Sequence, residues 1–482
     1  MIDDGESPSA GSAASEQRTA LVLTLLTLLA AGLRFWRLGD WSFWADEIAT
    51  LRDAQDLGKV ITYPVGYALI GFAVRLFGSN EFAARLVPAI AGAISVPALY
   101  LIGRKLFSER AAMLSAVLLA VSSYHIFFSQ EARYYSLMML LSMLAMWCAF
   151  VGFERNSLKG LLGAVLLLAL AGWTHWTAGL ALPALAAYAL WVSRKEGRPA
   201  GICWSNLAIL FAPFAAFGVL FARPILSFLA DWHAKSGFSI GRCALTAAKL
   251  ADRYEPAALI CAAVAAWMLL QQRDRRAKWL LSWALVPPAL VVLFVGFAEG
   301  GSRFALVALP AFLLLAGEGL DILIRYAAED RKKVAWLLAG VVILSLGLKD
   351  ALYFTVERGQ RPRWREAAEY VRSKAQAEGA PLIATAAPAG PEVLAFYLAR
   401  PGLEGSMAVE PNPTGLAELE RQPKDRVCYV IVEQTSNARP APDLLKFLER
   451  NGSRLKSFPL TVRFMDYSLR VYRLPAPARS VP

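Results

Sequence analysis

The chain has 482 residues, 57% of them hydrophobic and 18% charged, with a formal net charge of +12. A soluble globular protein carries roughly 25% charged residues, so this balance excludes an ordinary soluble domain. Apolar runs repeated along the chain describe a polytopic membrane protein instead. The excess of lysine and arginine falls in short loops between those runs, and no basic–aromatic module for nucleic acid accompanies it.

Residues 1–18 lack the basic start of a signal peptide and read as a disordered tail. The first span runs from Thr19 to Leu33 and ends at Arg34-Phe35-Trp36-Arg37, whose arginines are expected to snorkel to the far surface. The loop that follows carries adjacent carboxylates, Asp46 and Glu47, among Trp36, Trp41 and Trp44. Tryptophan prefers the headgroup level, where a carboxylate is costly unless it pairs, binds metal or does chemistry. The alternative is a solvated loop. Ile61 to Phe77 is apolar but broken by Pro64, Gly66 and Arg75, and reads as a helix lying along the interface or re-entering. Spans follow at Phe82–Gly103, Ala111–Phe128 and Tyr135–Phe153, with Ser129-Gln130-Glu131-Ala132-Arg133-Tyr134-Tyr135 before the last of these. Leu161 to Val192 is split at Gly172–Thr177 into halves shorter than the ~20 residues that cross a bilayer. It is either a simple short hairpin or a re-entrant pair whose turn at Thr174-His175 lines a wet cavity. Further spans at Ile202–Phe221, up to Gln271, up to Glu299, Phe304–Ile324 and Val334–Tyr353 bring the total to about eleven.

Basic short loops at Arg104, Arg155, Arg194, Arg273 and Arg331 fall on one side in this count, which makes that side cytoplasmic. The N-terminus is then cytoplasmic and the C-terminus extracytoplasmic. Asp46, Glu47, Glu131, Arg133, Arg303 and all three histidines (His125, His175, His233) share the outer face. After Tyr353 the composition changes. A helix over Trp364–Glu378, a strand over Pro381–Ala386, helices over Pro391–Ala399 and Thr414–Arg421, a strand over Arg426–Val432, a helix over Asp443–Arg450 and one or two later strands predict a small α/β domain. The expected organisation is a tail (1–18), a transmembrane domain (19–354) and an extracytoplasmic α/β domain (355–482). No repeat with broken helices in matching positions, common in transporters, is visible. The five cysteines lack close pairing, and no disulfide framework is read from them.

Four pieces of sequence, in this order, resemble the membrane-embedded GT-C glycosyltransferases, in particular the bacterial branch related to protein O-mannosyltransferases and to the lipid A aminoarabinose and galacturonosyl transferases. They are Trp44-Ala45-Asp46-Glu47; Phe82-Ala83-Ala84-Arg85-Leu86-Val87-Pro88 through Arg104-Lys105-Leu106-Phe107; His125 through Glu131-Ala132-Arg133-Tyr134-Tyr135-Ser136 with Thr174-His175; and Ser302-Arg303-Phe304 through Leu309-Pro310-Ala311. The resemblance implies an integral-membrane enzyme that moves a sugar from a polyprenyl-phosphate-linked donor to a hydroxyl on a lipid, glycan or protein acceptor, by single displacement with inversion. It implies Asp46 as general base, Glu47 as a second catalytic acid, and Glu131, Arg133, Arg303 and His175 as donor- and phosphate-binding residues. A divalent metal ion is left open, with Glu47, Glu131 and His175 as candidate ligands. The chain departs from the pattern at Thr62-Tyr63-Pro64-Val65-Gly66-Tyr67, where relatives usually have a His-Pro-Pro-like stretch; no donor or metal contact is assigned to it.

Overall fold

The computed structural model describes residues 10–56, 63–193, 198–223, 227, 238–297, 301–378, 382–385, 390–398, 427–434, 442–463 and 465–474. His233 and the helix expected at Thr414–Arg421 lie outside them. The chain divides into two compact units. The first is Met1–Trp36, Leu57–Leu69 and Leu86–Asp350; the second is Arg37–Asp56, Ile70–Arg85 and Ala351–Pro482. This division cuts across the boundary expected after residue 354, because the loop with Asp46 and Glu47 groups with the C-terminal part of the chain.

The first unit is helical. Among the described residues seven helices are long and apolar enough to cross a membrane, or nine if two bent pairs each count as one span. The bends are 57° between Glu109–Ala120 and Ser123–Ser129, and 87° between Ile240–Tyr254 and Pro256–Gln271. The expectation of about eleven spans differs by the apolar helices Leu158–Thr174 and Trp204–Leu220, each 17 residues long. At 1.5 Å per residue each covers ~25 Å, short of a ~30 Å hydrocarbon core. Pro64–Phe77 is a helix of 14 residues, also too short to span. The first helix begins at Ala10, so the later part of the stretch expected to be a disordered tail is helical. Serine side chains cap several starts: Ser108 Oγ accepts from the Ala111 N–H at 3.1 Å, and Ser157 Oγ from the Gly160 N–H at 3.2 Å.

The break between Glu109–Ala120 and Ser123–Ser129 is held by Arg34, which was expected at the membrane surface. Arg34 is fully buried. It donates to the carbonyls of Ala30, Ala120 and Leu119, each at 3.0 Å, and to His125 Nδ1 at 2.8 Å. Carbonyls at a helix end have no partner of their own, and in a membrane an unmet one costs several kcal/mol. The guanidinium supplies those donors from within, so neither Arg34 nor His125 reaches the outer face as a polar site. Ser302–Tyr326 is the most enclosed span, and its glycines set how closely its neighbours approach. A Cβ at Gly319 would overlap the Cys261 carbonyl, and one at Gly317 would overlap Ser115.

In the second unit a four-stranded sheet has the order Leu382–Thr385, Cys428–Glu433, Leu469–Leu474, Ser453–Phe458. The first pair is parallel, with Leu382 opposite Cys428, and the other pairs are antiparallel. Cys428–Val432 is buried throughout, as its unbroken apolar run requires of a central strand. Helix Pro442–Asn451 covers the sheet with Leu444 and Leu448, which pack with Val430, Val432 and Tyr472. The helices Trp364–Glu378 and Gly390–Leu398 stand where the sequence predicts them.

Gly319→Val is expected to lower stability by about 1–3 kcal/mol through overpacking. The thermal midpoint of the detergent-solubilised protein, compared with that of an exposed Gly340→Ala control, measures it.

Candidate active site

The acidic loop lies in the second unit. Trp41 and Phe43 are buried, Trp44 ends the extended segment, and a helix begins at Ala45 and runs to Gln55. Asp46 and Glu47 therefore occupy the first helical turn, where unpaired backbone N–H groups favour negative charge. Successive residues of a helix point about 100° apart, and the two acids have different surroundings. Glu47 is fully buried. It accepts from Arg85 Nε at 2.7 Å and Arg85 Nη2 at 2.8 Å, and from Arg361 Nε at 3.4 Å. Its Oε2 also accepts from the Trp44 N–H at 3.4 Å. Arg85, equally buried, donates further to the carbonyls of Leu38, Trp41 and Ser42 at 3.0–3.2 Å. Glu47 thus anchors the loop. Asp46 is half-buried, and its backbone carbonyl accepts from Thr50 Oγ1 at 3.0 Å.

The other predicted residues lie in the first unit. Arg133 and Glu131 sit in the link between helices Ser123–Ser129 and Tyr135–Arg155. Arg303 sits on a 3-10 helix, Ser302–Ala308. His175 stands in extended conformation between Leu158–Thr174 and the 3-10 turn Trp176–Leu180, at the break expected in the Leu161–Val192 run. These residues meet around aromatic rings. The guanidinium carbons of Arg133 and Arg303 lie 5.9 and 6.0 Å from the centre of the Tyr135 ring. Arg133 also faces Tyr134 at 5.1 Å, and Arg303 faces Phe304 at 5.4 Å. His175 lies 4.9 Å from Tyr135, 5.3 Å from Tyr134 and 5.0 Å from Tyr63, stacked on the last. Burial raises the pKa of the Tyr63 and Tyr134 hydroxyls, outweighing the opposite pull of Arg133 on both and of Arg303 on Tyr63. Both stay protonated and able to donate. Glu131 is buried in the same link.

Tyr63 is the member that sequence reasoning left out. It lies in the departing Thr62–Tyr67 stretch, which was given no contact, yet its ring joins the cluster. Gly66 of the same stretch makes that packing possible, since a Cβ there would come within 2.8 Å of Tyr134 Cβ. The backbone carrying Arg303 is fixed by three side chains. Tyr124 Oη donates to the Ser302 carbonyl at 2.6 Å, Tyr254 Oη to that of Ala305 at 2.7 Å, and Trp283 Nε1 to that of Val307 at 2.8 Å.

Glu47 is ion-paired with two arginines. His175 Nδ1 lies 2.6 Å from Thr177 Oγ1 and 3.3 Å from the Thr177 backbone nitrogen. Among the described residues no three His, Cys, Asp or Glu side chains gather where they could hold a metal. What the arginine-and-ring cluster offers is two permanent, half-buried cations and neutral hydroxyl donors, which suits a phosphate group.

Arg85→Met is expected to destabilise the protein by about 3–5 kcal/mol by stranding a buried carboxylate. The thermal midpoint should recover only in part in Arg85→Met/Glu47→Leu, which removes both charges but takes this carboxylate away from the buried Arg361.

Residues 62–219 match the family described as dolichyl-phosphate-mannose-protein mannosyltransferase. No curated protein sequence matches the chain. Among solved structures the fold is similar to that of ArnT from Cupriavidus metallidurans in the apo state, with a TM-score of 0.56 and 14% identity over 94% of this chain and 98% of that one. The same protein bound to undecaprenyl phosphate gives a TM-score of 0.57 at 14% identity, with the same coverage. The apo oligosaccharyltransferase of Archaeoglobus fulgidus gives 0.57 at 13% identity, over 86% of this chain and 70% of that one. The chain is a multi-pass membrane protein that shares its fold with ArnT and the archaeal oligosaccharyltransferase, and its residues 62–219 match the dolichyl-phosphate-mannose-protein mannosyltransferase family model.

Proposed function

We propose that the protein transfers a sugar from a polyprenyl-phosphate-linked donor to an acceptor hydroxyl at the extracytoplasmic face, by inverting single displacement. The observation that carries this reading is the convergence of Arg133 and Arg303 on the Tyr135 ring, among Tyr63, Tyr134 and His175. The family match of residues 62–219 and the undecaprenyl phosphate bound to the similarly folded ArnT support a lipid phosphate as the group held there. Orientation rests on the positive-inside rule: the five basic loops are cytoplasmic on the eleven-span count from the sequence, and with nine spans those at Arg104, Arg155, Arg273 and Arg331 still share one side.

In this mechanism the acceptor oxygen attacks the anomeric carbon from the side opposite the phosphate. The bond from that carbon to the phosphate oxygen breaks, and its electron pair leaves with the polyprenyl phosphate. The acceptor's hydroxyl proton passes to the Asp46 carboxylate. The departing phosphate gains a negative charge, which Arg133 and Arg303 meet. Both guanidiniums are half-buried beside aromatic rings, where they act on that charge more strongly than they would in bulk solvent. The Tyr63 hydroxyl adds a neutral donor, and the neutral His175 ring stacks on Tyr63 beside it. Glu131, buried in the link that bears Arg133, is the acid of the donor site.

The test offers membranes containing the wild type or Asp46→Asn a panel of labelled polyprenyl-phosphate sugars (mannose, glucose, galacturonic acid, aminoarabinose) with total envelope extract as acceptor source. One donor should be consumed by the wild type, with polyprenyl phosphate released and label transferred. Asp46→Asn should slow transfer by about 10²–10⁴-fold while binding undecaprenyl phosphate as the wild type does. Wild-type rates in Asp46→Asn would remove the base assignment; failure to consume any donor and to bind undecaprenyl phosphate would overturn the reading. Arg303→Ala should weaken undecaprenyl phosphate binding by about ten-fold or more, the worth of one charge-assisted hydrogen bond, as read by titration in detergent.

A further inference from the structure

Within the second unit, the backbone leading to Asp46 is held by side chains from the C-terminal part of the chain. The Phe43 N–H donates to the Tyr397 hydroxyl at 2.6 Å, and that hydroxyl donates to Glu81 Oε1 at 2.7 Å. Arg365 Nε donates to the same Glu81 oxygen at 3.2 Å, and its Nη2 donates to the Gly39 carbonyl at 3.0 Å. Ser42 Oγ accepts from the Arg365 N–H at 3.0 Å and donates to Glu366 at 3.3 Å. The Phe43 ring meets Phe396 edge-on at 5.3 Å. The backbone of Gly359, with φ at +66°, packs so tightly on the Trp41 indole that a Cβ would overlap it. Gly39, Trp41, Ser42, Phe43 and Glu47 are therefore each fixed by a residue between 359 and 397.

Tyr397 is the central member. Its hydroxyl accepts one hydrogen bond and donates another, which satisfies a buried backbone N–H and a buried carboxylate at once. Burial and the neighbouring Glu81 raise its pKa, so it stays protonated as a donor. A loop of this kind has no ladder of its own to hold it, and without these contacts its backbone polar groups would be unmet.

We propose that Tyr397, acting through Phe43 and with Glu81 and Arg365, is a positioning residue that sets where Asp46 presents its carboxylate. The C-terminal part of the chain is then a component of the catalytic apparatus and not an appended module. This rests on the reading of Asp46 as the base.

The test compares the full-length wild type with Tyr397→Phe, which keeps the ring and removes the hydroxyl. Hydrogen exchange of the amides in 41–50 should quicken by about ten-fold, and exchange in the span Tyr135–Arg155 should not change. With the donor that the wild type consumes, kcat should fall by about ten- to a hundred-fold, the cost of a small misplacement of a reacting group. KM for that donor and affinity for undecaprenyl phosphate should hold within about two-fold. Arg365→Lys, which keeps the charge beside Glu81 but loses the forked reach to Gly39, should fall between the two and stands in should Tyr397→Phe fail to accumulate. Unchanged exchange over 41–50, or a kcat that falls only together with undecaprenyl phosphate affinity, overturns the proposal. Asp46→Asn measured alongside separates the two ideas: an active Asp46→Asn removes the base, whereas an inactive one beside an unaltered Tyr397→Phe removes only the positioning role.

Discussion

A carboxylate and a guanidinium enclosed together, Glu47 and Arg85, fix the irregular segment from Leu38 to Glu47. Neither ion could be buried alone, since the desolvation of a single charge costs several kcal/mol. Together they satisfy each other, and the forked donors of Arg85 have capacity left for the carbonyls of Leu38, Trp41 and Ser42. Those carbonyls belong to a stretch with neither helix nor strand to pair them. One side chain thus replaces a secondary-structure ladder and allows a loop to be rigid. The same pair divides the labour between adjacent acids. Glu47 is consumed as an anchor, and Asp46, one residue earlier on the first helical turn, remains half-buried on another side of that turn.

The first unit solves a different problem, which is to keep cations in an apolar bundle. Arg133 and Arg303 lie over ring faces whose electron density favours them. Arg34 instead spends its donors on carbonyls at a helix break. The difference is instructive, because both are arginines at the ends of apolar runs. Arg34 thereby serves the backbone of its own bundle, whereas Arg133 and Arg303 stand beside the rings of the candidate site.

The membrane architecture was legible from the sequence because hydropathy and basic loops are local properties. The apolar runs, the break at Thr174-His175 and the order of helices and strands after Trp364 all follow from windows of a few residues. The partners of the buried ions were not legible. Glu47 meets Arg85 and Arg361, which are far away along the chain, and no local pattern announces such a pairing. An arginine inside the apolar run Phe82–Pro88 was the one available hint, since a charge there must find a partner. Arg34 departs from expectation for the opposite reason: snorkelling is the usual solution at a span end, and the neighbouring helix break makes an internal one possible. Tyr63 carries no motif signal, because the Thr62–Tyr67 stretch lacks a histidine and a second proline, and the ring it supplies beside Gly66 shows only in the fold.

The short helix Ser302–Ala308 has a further consequence. Its carbonyls are met by Tyr124, Tyr254 and Trp283, from three separate helices. The position of Arg303 is therefore encoded at four places in the gene, none near another in sequence except through the fold. Drift at any of the three supporting sites would be felt as drift at Arg303 itself. In lineages that share this arrangement, the three aromatic residues should change together or not at all.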